Sequence, residues 1–353
     1  MKFIRSMSLS RLSRLTIFCG IVLAGISVFA QATPKEATEA TKQHNKQVLQ
    51  ELPFNNKQDF ENANKGFIAT FPEVKVVGAN GNTVWDLGTY SFLKQDVPAT
   101  ANPSLWRIAQ LNMINGLFKV TGRIYQVRGF DLSNMTIVEG DKGLIIIDPL
   151  ITTETAKAAL DLYYQHRPRK PVVAVIYTHS HVDHYGGVKG VVSEADMDSG
   201  KVHIYALEGL LEEAVSENVF AGNAMSRRAI YMYGALLPRG PNGQVDGGLG
   251  KTTSMGTVTL IPPTDIITKT EETKTIDGVQ VIFQMAPATE APAEMLFYFP
   301  RRAKWRLMRW NNSATRPKTR LGEMNFSWVR LNSATGSQRF LRLRRQVPIP
   351  STP

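Results

Sequence analysis

The sequence predicts a layered α/β domain, and three observations carry that expectation. Three β-rich runs follow one another with turn residues between them: RIYQVRG (Arg123–Gly129), NMTIVEG (Asn134–Gly140) and GLIIIDPL (Gly143–Leu150). The stretch TTETAKAALDLYYQH, starting at Thr152, then spaces its apolar residues helically through about His166, with threonines suited to capping. A further apolar run, Val172–Tyr177, ends directly at a cluster of histidines. Strands, a helix and another strand require layers of helix against sheet.

The chain opens with a basic stretch (Lys2, Arg5, Arg11, Arg14), an apolar stretch from Leu15 to Val28, and the small-residue site Ala30-Gln31-Ala32. This is the pattern of an export leader over residues 1–32. The apolar run is short for a bilayer core of about 30 Å, so no stable membrane insertion is expected once the leader is removed. The location that follows is periplasmic or secreted. Cys19, the single cysteine, lies inside the leader. Disulfides and thiolate catalysis are therefore excluded from the mature chain, and a metal site has to be built from His and carboxylates.

Residues 33–116 form a lead-in, polar and rich in Lys, Glu and Gln up to about residue 62, then mixing short apolar runs with turn signals such as Ala79-Asn80-Gly81-Asn82. Residues 117–300 carry the α/β pattern. Beyond the histidines, KVHIYA (Lys201–Ala206) reads as a strand and Glu208 to about Tyr233 as one long helix. Pro238–Gly256 is loop, and TVTLIPP and VQVIFQMAP are two more strands.

The net charge of +11 is unevenly held. The leader contributes +4 and residues 301–353 contribute +12, which leaves −5 for residues 33–300. The basic character belongs to a tail, so a nucleic-acid partner does not follow from it.

The six histidines of the chain are not spread evenly: His179, His181 and His184 fall within IYTHSHVDHYGG, with Asp183 between the last two. Placed after a strand, His179-x-His181-x-Asp183-His184 offers one divalent ion to His179 and His181 and a second to Asp183 and His184. Imidazole with carboxylate favours zinc. Two ions about 3.5–4 Å apart can acidify a shared water. Gly186-Gly187 is expected to let the chain pass close to the metals.

T-H-S-H-x-D-H-x-G-G resembles the signature of the metallo-β-lactamase superfamily. NPSLWR at Asn102, IYQVRGFDLSNMT at Ile124, ENVFAGNAMSRRAIYMYGALLP at Glu217, GLGKTTSMGTVTLIPPTDIIT at Gly248 and ATEAPAEMLFYFP at Ala288 are similar to its alkyl sulfatase branch. The resemblance runs from about Asp59 to Pro300. It implies an αββα sandwich, here incomplete at the C-terminus, and hydrolysis of sulfate esters of alkyl chains, dodecyl sulfate among them, with Zn2+, two ions per site. It implies His179 and His181 as ligands of one zinc, Asp183 and His184 as ligands of the other, and Glu290 as a further ligand. Glu294 is the weaker candidate in that stretch. Asp183 is also the candidate catalytic carboxylate, and Asp148 stands behind the metal loop as its support. Arg227 and Arg228 serve either an anionic substrate or an ordinary helix face. The partner implied is a small amphiphilic sulfate ester, with no nucleic acid. A homodimer is the family's state, but its dimerisation region is not recognisable here.

The resemblance stops at Pro300. The family continues with a glutamate ligand and a histidine ligand, yet Arg309 falls where the glutamate is expected and no histidine follows His203. Residues 301–353 hold eleven Arg, two Lys, one Glu and three of the five Trp without helical or strand patterning. We hypothesise that they are read out of frame, which resequencing across the codons for Phe297 to Arg302 tests. The other reading is a real basic tail for an anionic surface. With the second site incomplete, the chain is expected to bind zinc weakly at one site and to turn over dodecyl sulfate poorly or not at all. Two alternatives stay open: a superfamily hydrolase of β-lactams or thioesters, and a non-catalytic remnant with an anion-binding tail.

Overall fold

The computed structural model describes residues 35–300. The expected leader and basic tail lie outside those residues. Helices α1 (Glu39–Glu51) and α2 (Gln58–Asn64) lead to strands β1 (Phe67–Ala69), β2 (Lys75–Val77) and β3 (Thr83–Asp86), a 3-10 helix (Leu87–Lys94) and α3 (Pro103–Leu111). The expected lead-in is thus built into the domain. β1 pairs antiparallel with the strand at Gly116–Thr121, and Trp85, Tyr90 and Trp106 lie in the same buried core as the later strands.

The three β-rich runs form β5 (Ile124–Arg128), β6 (Met135–Glu139) and β7 (Leu144–Ile147), preceded by β4 (Gly116–Thr121). Every residue of β5, β6 and β7 is buried, the condition in which continuous Val/Ile/Leu runs become strands covered on both faces. Helix α4 (Thr153–His166) is capped by Thr152, whose Oγ1 accepts from the Thr155 N–H, and it buries Ala156, Ala159, Leu160, Leu162 and Tyr163. It carries the chain to β8 (Val172–Ile176), parallel to β7. After the short helix α5 (Glu194–Asp198) come β9 (His203–Leu207), α6 (Leu210–Val215), α7 (Gly222–Tyr233) and β10 (Asp265–Ile267). The sheet order is β1-β4-β5-β6-β7-β8-β9-β10, antiparallel up to β7 and parallel beyond it.

A second sheet of β11 (Glu272–Ile276), β12 (Val279–Met285) and β13 (Met295–Tyr298) is wholly antiparallel. Phe283 of β12 stacks on Tyr205 of β9 at 6.2 Å and meets Phe297 of β13 edge-on at 5.6 Å. Asp277, in the β11–β12 turn, accepts from the N–H groups of Lys142 and Gly143 and so fastens the β6–β7 turn to the second sheet. The described residues thus supply a helix layer, the large sheet and three strands of the facing sheet.

Two expectations are corrected. The helix expected from Glu208 to Tyr233 breaks at a single π turn, Ser216–Phe220, where the Asn218 amide donates to the Ala214 carbonyl and to the Tyr185 hydroxyl. TVTLIPP is not a strand. Thr259 bonds to the Gly186 carbonyl and Thr257 to Glu154, so the segment is tied to loops, and the prolines at 262 and 263 have no N–H for a ladder.

Candidate metal centre

Strands β7 and β8 end side by side, with Ile147 opposite Ile176. The next residues on each strand make the site. Asp148 has φ +56°, a region that Asp tolerates better than most residues, and its N–H is held by the Ile176 carbonyl at 3.1 Å. Its carboxylate, fully buried, accepts from Thr178 N at 2.9 Å, Thr178 Oγ1 at 2.8 Å and His184 Nδ1 at 2.7 Å. Because the Thr178 hydroxyl donates to Asp148, it accepts from His179 Nδ1 at 2.9 Å. One carboxylate therefore places the Nδ1 proton on both His179 and His184, so that each ring meets its neighbour in the loop through Nε2.

The structure brings the sequence-predicted residues together. His179 Nε2 lies 3.1 Å from His181 Nδ1. Ligand atoms of His179, His181 and Glu290 all lie within 4.8 Å of one another. Nitrogen ligands about 2.05 Å from a tetrahedral zinc sit about 3.3 Å apart, so the imidazole pair fits the ion, and Glu290 adds an oxygen. Asp183 Oδ2 is 3.1 Å from His184 Nε2, so these two residues meet as a hydrogen-bonded ion pair. Among the described residues, His179, His181 and Glu290 are the one group of three or more ligand side chains; Asp183 and His184 belong to no such set.

Charge follows the geometry. Burial alone would raise Asp183, but His184, together with His179 and His181, holds its carboxyl well below the usual carboxylate range. Burial alone would lower His184, but Asp183 and Asp148 raise it well above an ordinary histidine. Burial pushes Asp148 up, against the pull of His184 and of the two Thr178 donors. A metal at the Asp183–His184 pair has to compete with a proton on His184.

Several supporting residues had no clear sequence signal. Asp131, buried in GFDLSN, collects Leu132 N and Ser254 N on one oxygen and Ile151 N, Thr155 Oγ1 and Ser254 Oγ on the other. Two residues on, the Ser133 hydroxyl donates to the Asp183 carbonyl, so this knot stands directly behind the metal loop. Gly186 and Gly187 serve a different approach from the one expected. A Cβ on Gly187 would meet the Pro149 carbonyl oxygen at 2.1 Å, and one on Gly186 the Ile151 carbonyl oxygen at 2.2 Å. The glycines let the loop lie against the β7 end rather than against metals. The π turn aims Glu217 at the outer side of His181, 3.9 Å from Nε2, and burial pushes its carboxyl up. Arg227 and Arg228 are both exposed, and the charge of Arg228 is felt by Glu217.

The profile of the metallo-β-lactamase superfamily matches residues 128–287. A linear primary-alkylsulfatase of Pseudomonas sp. is 63% identical over 280 residues, covering 79% of this chain and 41% of that protein. Alkyl/aryl-sulfatase BDS1 of Saccharomyces cerevisiae is 56% identical over 272 residues, covering 77% and 42%. The solved structure of the stereoselective inverting sec-alkylsulfatase Pisa1 from Pseudomonas sp. superposes with a TM-score of 0.73 at 51% identity, over 76% of this chain and 42% of that one. The chain thus spans about two fifths of the length of the relatives it matches. With a superfamily profile that spans the histidine loop and relatives above half identity over most of this chain's length, the chain carries a metallo-β-lactamase superfamily domain similar to that of alkylsulfatases.

Proposed function

We propose that this site serves the zinc-dependent hydrolysis of alkyl sulfate esters, of the dodecyl sulfate type, in an exported protein. The observation that carries the reading is the convergence of His179, His181 and Glu290 within 4.8 Å beside the Asp183–His184 pair, in a chain 63% identical to a linear primary-alkylsulfatase. A bound zinc supplies Lewis acidity at the ester and acidifies water. The chain's own residues do the rest. Asp148, through Thr178, presents His179 and His184 in the tautomer that binds a cation. Asp183 is the catalytic carboxylate of the proposal: held ionised, it accepts from and orients the attacking water. Arg228, on α7 and close enough for its charge to be felt by Glu217, is the candidate cation for the sulfate. Each methylene of the alkyl chain taken out of water adds about 0.8 kcal/mol, so long esters should outcompete short ones.

With only two protein ligands in the second pair among the described residues, turnover should be slow. The test is sulfate release from dodecyl sulfate by the purified chain, with zinc added and with zinc chelated. Slow release that needs zinc and vanishes in His179→Ala supports the reading. Release that ignores zinc, or hydrolysis of a β-lactam in preference to the sulfate ester, overturns it.

A further inference from the structure

The stretch ATEAPAE carries two glutamates, and the structure gives them different work. Glu290 faces His179 and His181. Glu294 is buried, 3% exposed, yet it does not join that group. Its Oε2 turns back on its own loop and accepts from Thr289 Oγ1 at 2.5 Å, from the Glu290 N–H at 2.6 Å and from the Ala291 N–H at 3.3 Å. The backbone of the same residue is anchored on both sides. Its carbonyl accepts from Ala286 N at 2.8 Å, and the next N–H, of Met295, donates to the Thr178 carbonyl at 2.9 Å. Thr178 immediately precedes His179, and His179 itself forms a β-bridge with Glu294.

These contacts form one continuous path. The strand end that carries His179 is bonded to the start of β13, and the Glu294 carboxylate then holds the Glu290 backbone. Ala288, at φ +58°, shows how tightly the loop turns just before Glu290. We propose that Glu294 is a positioning residue: its carboxylate holds the Glu290 backbone in register with His179, so that Glu290 meets a metal already bound by the two imidazoles. The inference rests on the reading that His179, His181 and Glu290 hold zinc, and it assigns Glu294 a part in zinc affinity without contact with the ion. Partners that orient ligands in this way typically change metal affinity about 10- to 100-fold when removed.

The experiment is zinc titration of the full chain against a chromophoric chelator, for wild type, Glu290→Ala, Glu294→Ala, Glu294→Gln and the double variant Glu290→Ala/Glu294→Ala. Loss of the Glu294 carboxylate should weaken the tighter zinc about 10- to 100-fold. Glu294→Gln, which keeps an oxygen acceptor for the two N–H groups, should fall between wild type and Glu294→Ala. The double variant should match Glu290→Ala alone, because Glu294 acts only through Glu290. Hydrogen exchange on the zinc-free chain supplies a second readout: the Glu290 and Ala291 amides should lose protection in Glu294→Ala while strand amides keep theirs. If Glu294→Ala does not fold, the Gln variant carries the same comparison. Zinc affinity in Glu294→Ala equal to that of wild type overturns the inference and leaves the metal site standing. So does a double variant weaker than Glu290→Ala by the full Glu294→Ala factor. A wild-type chain that takes up no zinc overturns both.

Discussion

Replacing Asp148 separates folding from metal binding. In Asp148→Ala the buried N–H of Thr178 and the Nδ1–H of His184 lose their acceptor. Each orphaned buried donor costs about 1–3 kcal/mol. An alanine at φ +56° adds about 1 kcal/mol. Release of a carboxylate whose burial is itself costly offsets part of this, so the net loss should be about 3 kcal/mol in urea unfolding of the zinc-free chain. Asp148→Asn behaves differently. Asn suits the positive φ and keeps an oxygen for Thr178 N–H, so the stability loss should be only about 1 kcal/mol. Its amide N–H group, however, faces Thr178 Oγ1 and His184 Nδ1. His184 Nδ1 must then accept, and the Thr178 hydroxyl, now accepting from the amide, donates to His179 Nδ1. Both histidines move their proton to Nε2, the atom the metal needs. Zinc affinity should drop about 10- to 100-fold in a protein that still folds. The assay is chelator competition beside urea unfolding on the same samples. Wild-type zinc affinity in Asp148→Asn, or a loss below about 1 kcal/mol in Asp148→Ala, would refute the reasoning.

Three further outcomes are expected. Phe283→Ala empties a fully buried ring site between Tyr205 and Phe297 and should cost about 3–5 kcal/mol in urea unfolding, since it is the joint between the sheets. Stability of the zinc-free chain should depend on pH through the site pair. The raised His184 contributes fully below the ordinary histidine value of about 6.5 and loses that contribution as pH climbs through its folded value. The depressed Asp183 contributes above about 3.9 and loses its share as pH falls through its lower folded value, so melting temperature against pH should show a plateau that declines on both sides. Zinc entering the Asp183–His184 pair should release a proton from His184, visible as a dependence of calorimetric heat on buffer ionisation enthalpy.

Much of the centre was legible because its signals are local. Strand β8 ends where its apolar run ends, and the H-x-H-x-D-H spacing needs no distant partner to be read. Asp148 was legible as the last residue of an apolar run. Thr152 was legible as a cap for α4. Glu290 came from resemblance, since nothing in its spacing points across more than a hundred residues to His179. What was missed depends on long-range contact or on backbone detail. Asp131 gathers donors from residues 151, 155 and 254, which no periodicity links. The π turn that aims Glu217 hides inside a helical pattern, because Asn218 can bond back to Ala214 without breaking the apolar spacing. TVTLIPP has strand composition, but its bonding groups are taken by Gly186 and Glu154. Composition reports preference for extended backbone and does not report which edge is free to pair.

Zinc stoichiometry and affinity, measured by calorimetry on the metal-free chain alongside His179→Ala and Glu290→Ala, test the central claim most directly. The account predicts one zinc bound through His179, His181 and Glu290, abolished by His179→Ala and weakened by Glu290→Ala, with a second zinc weak or absent. Equal zinc binding in all three proteins would contradict it.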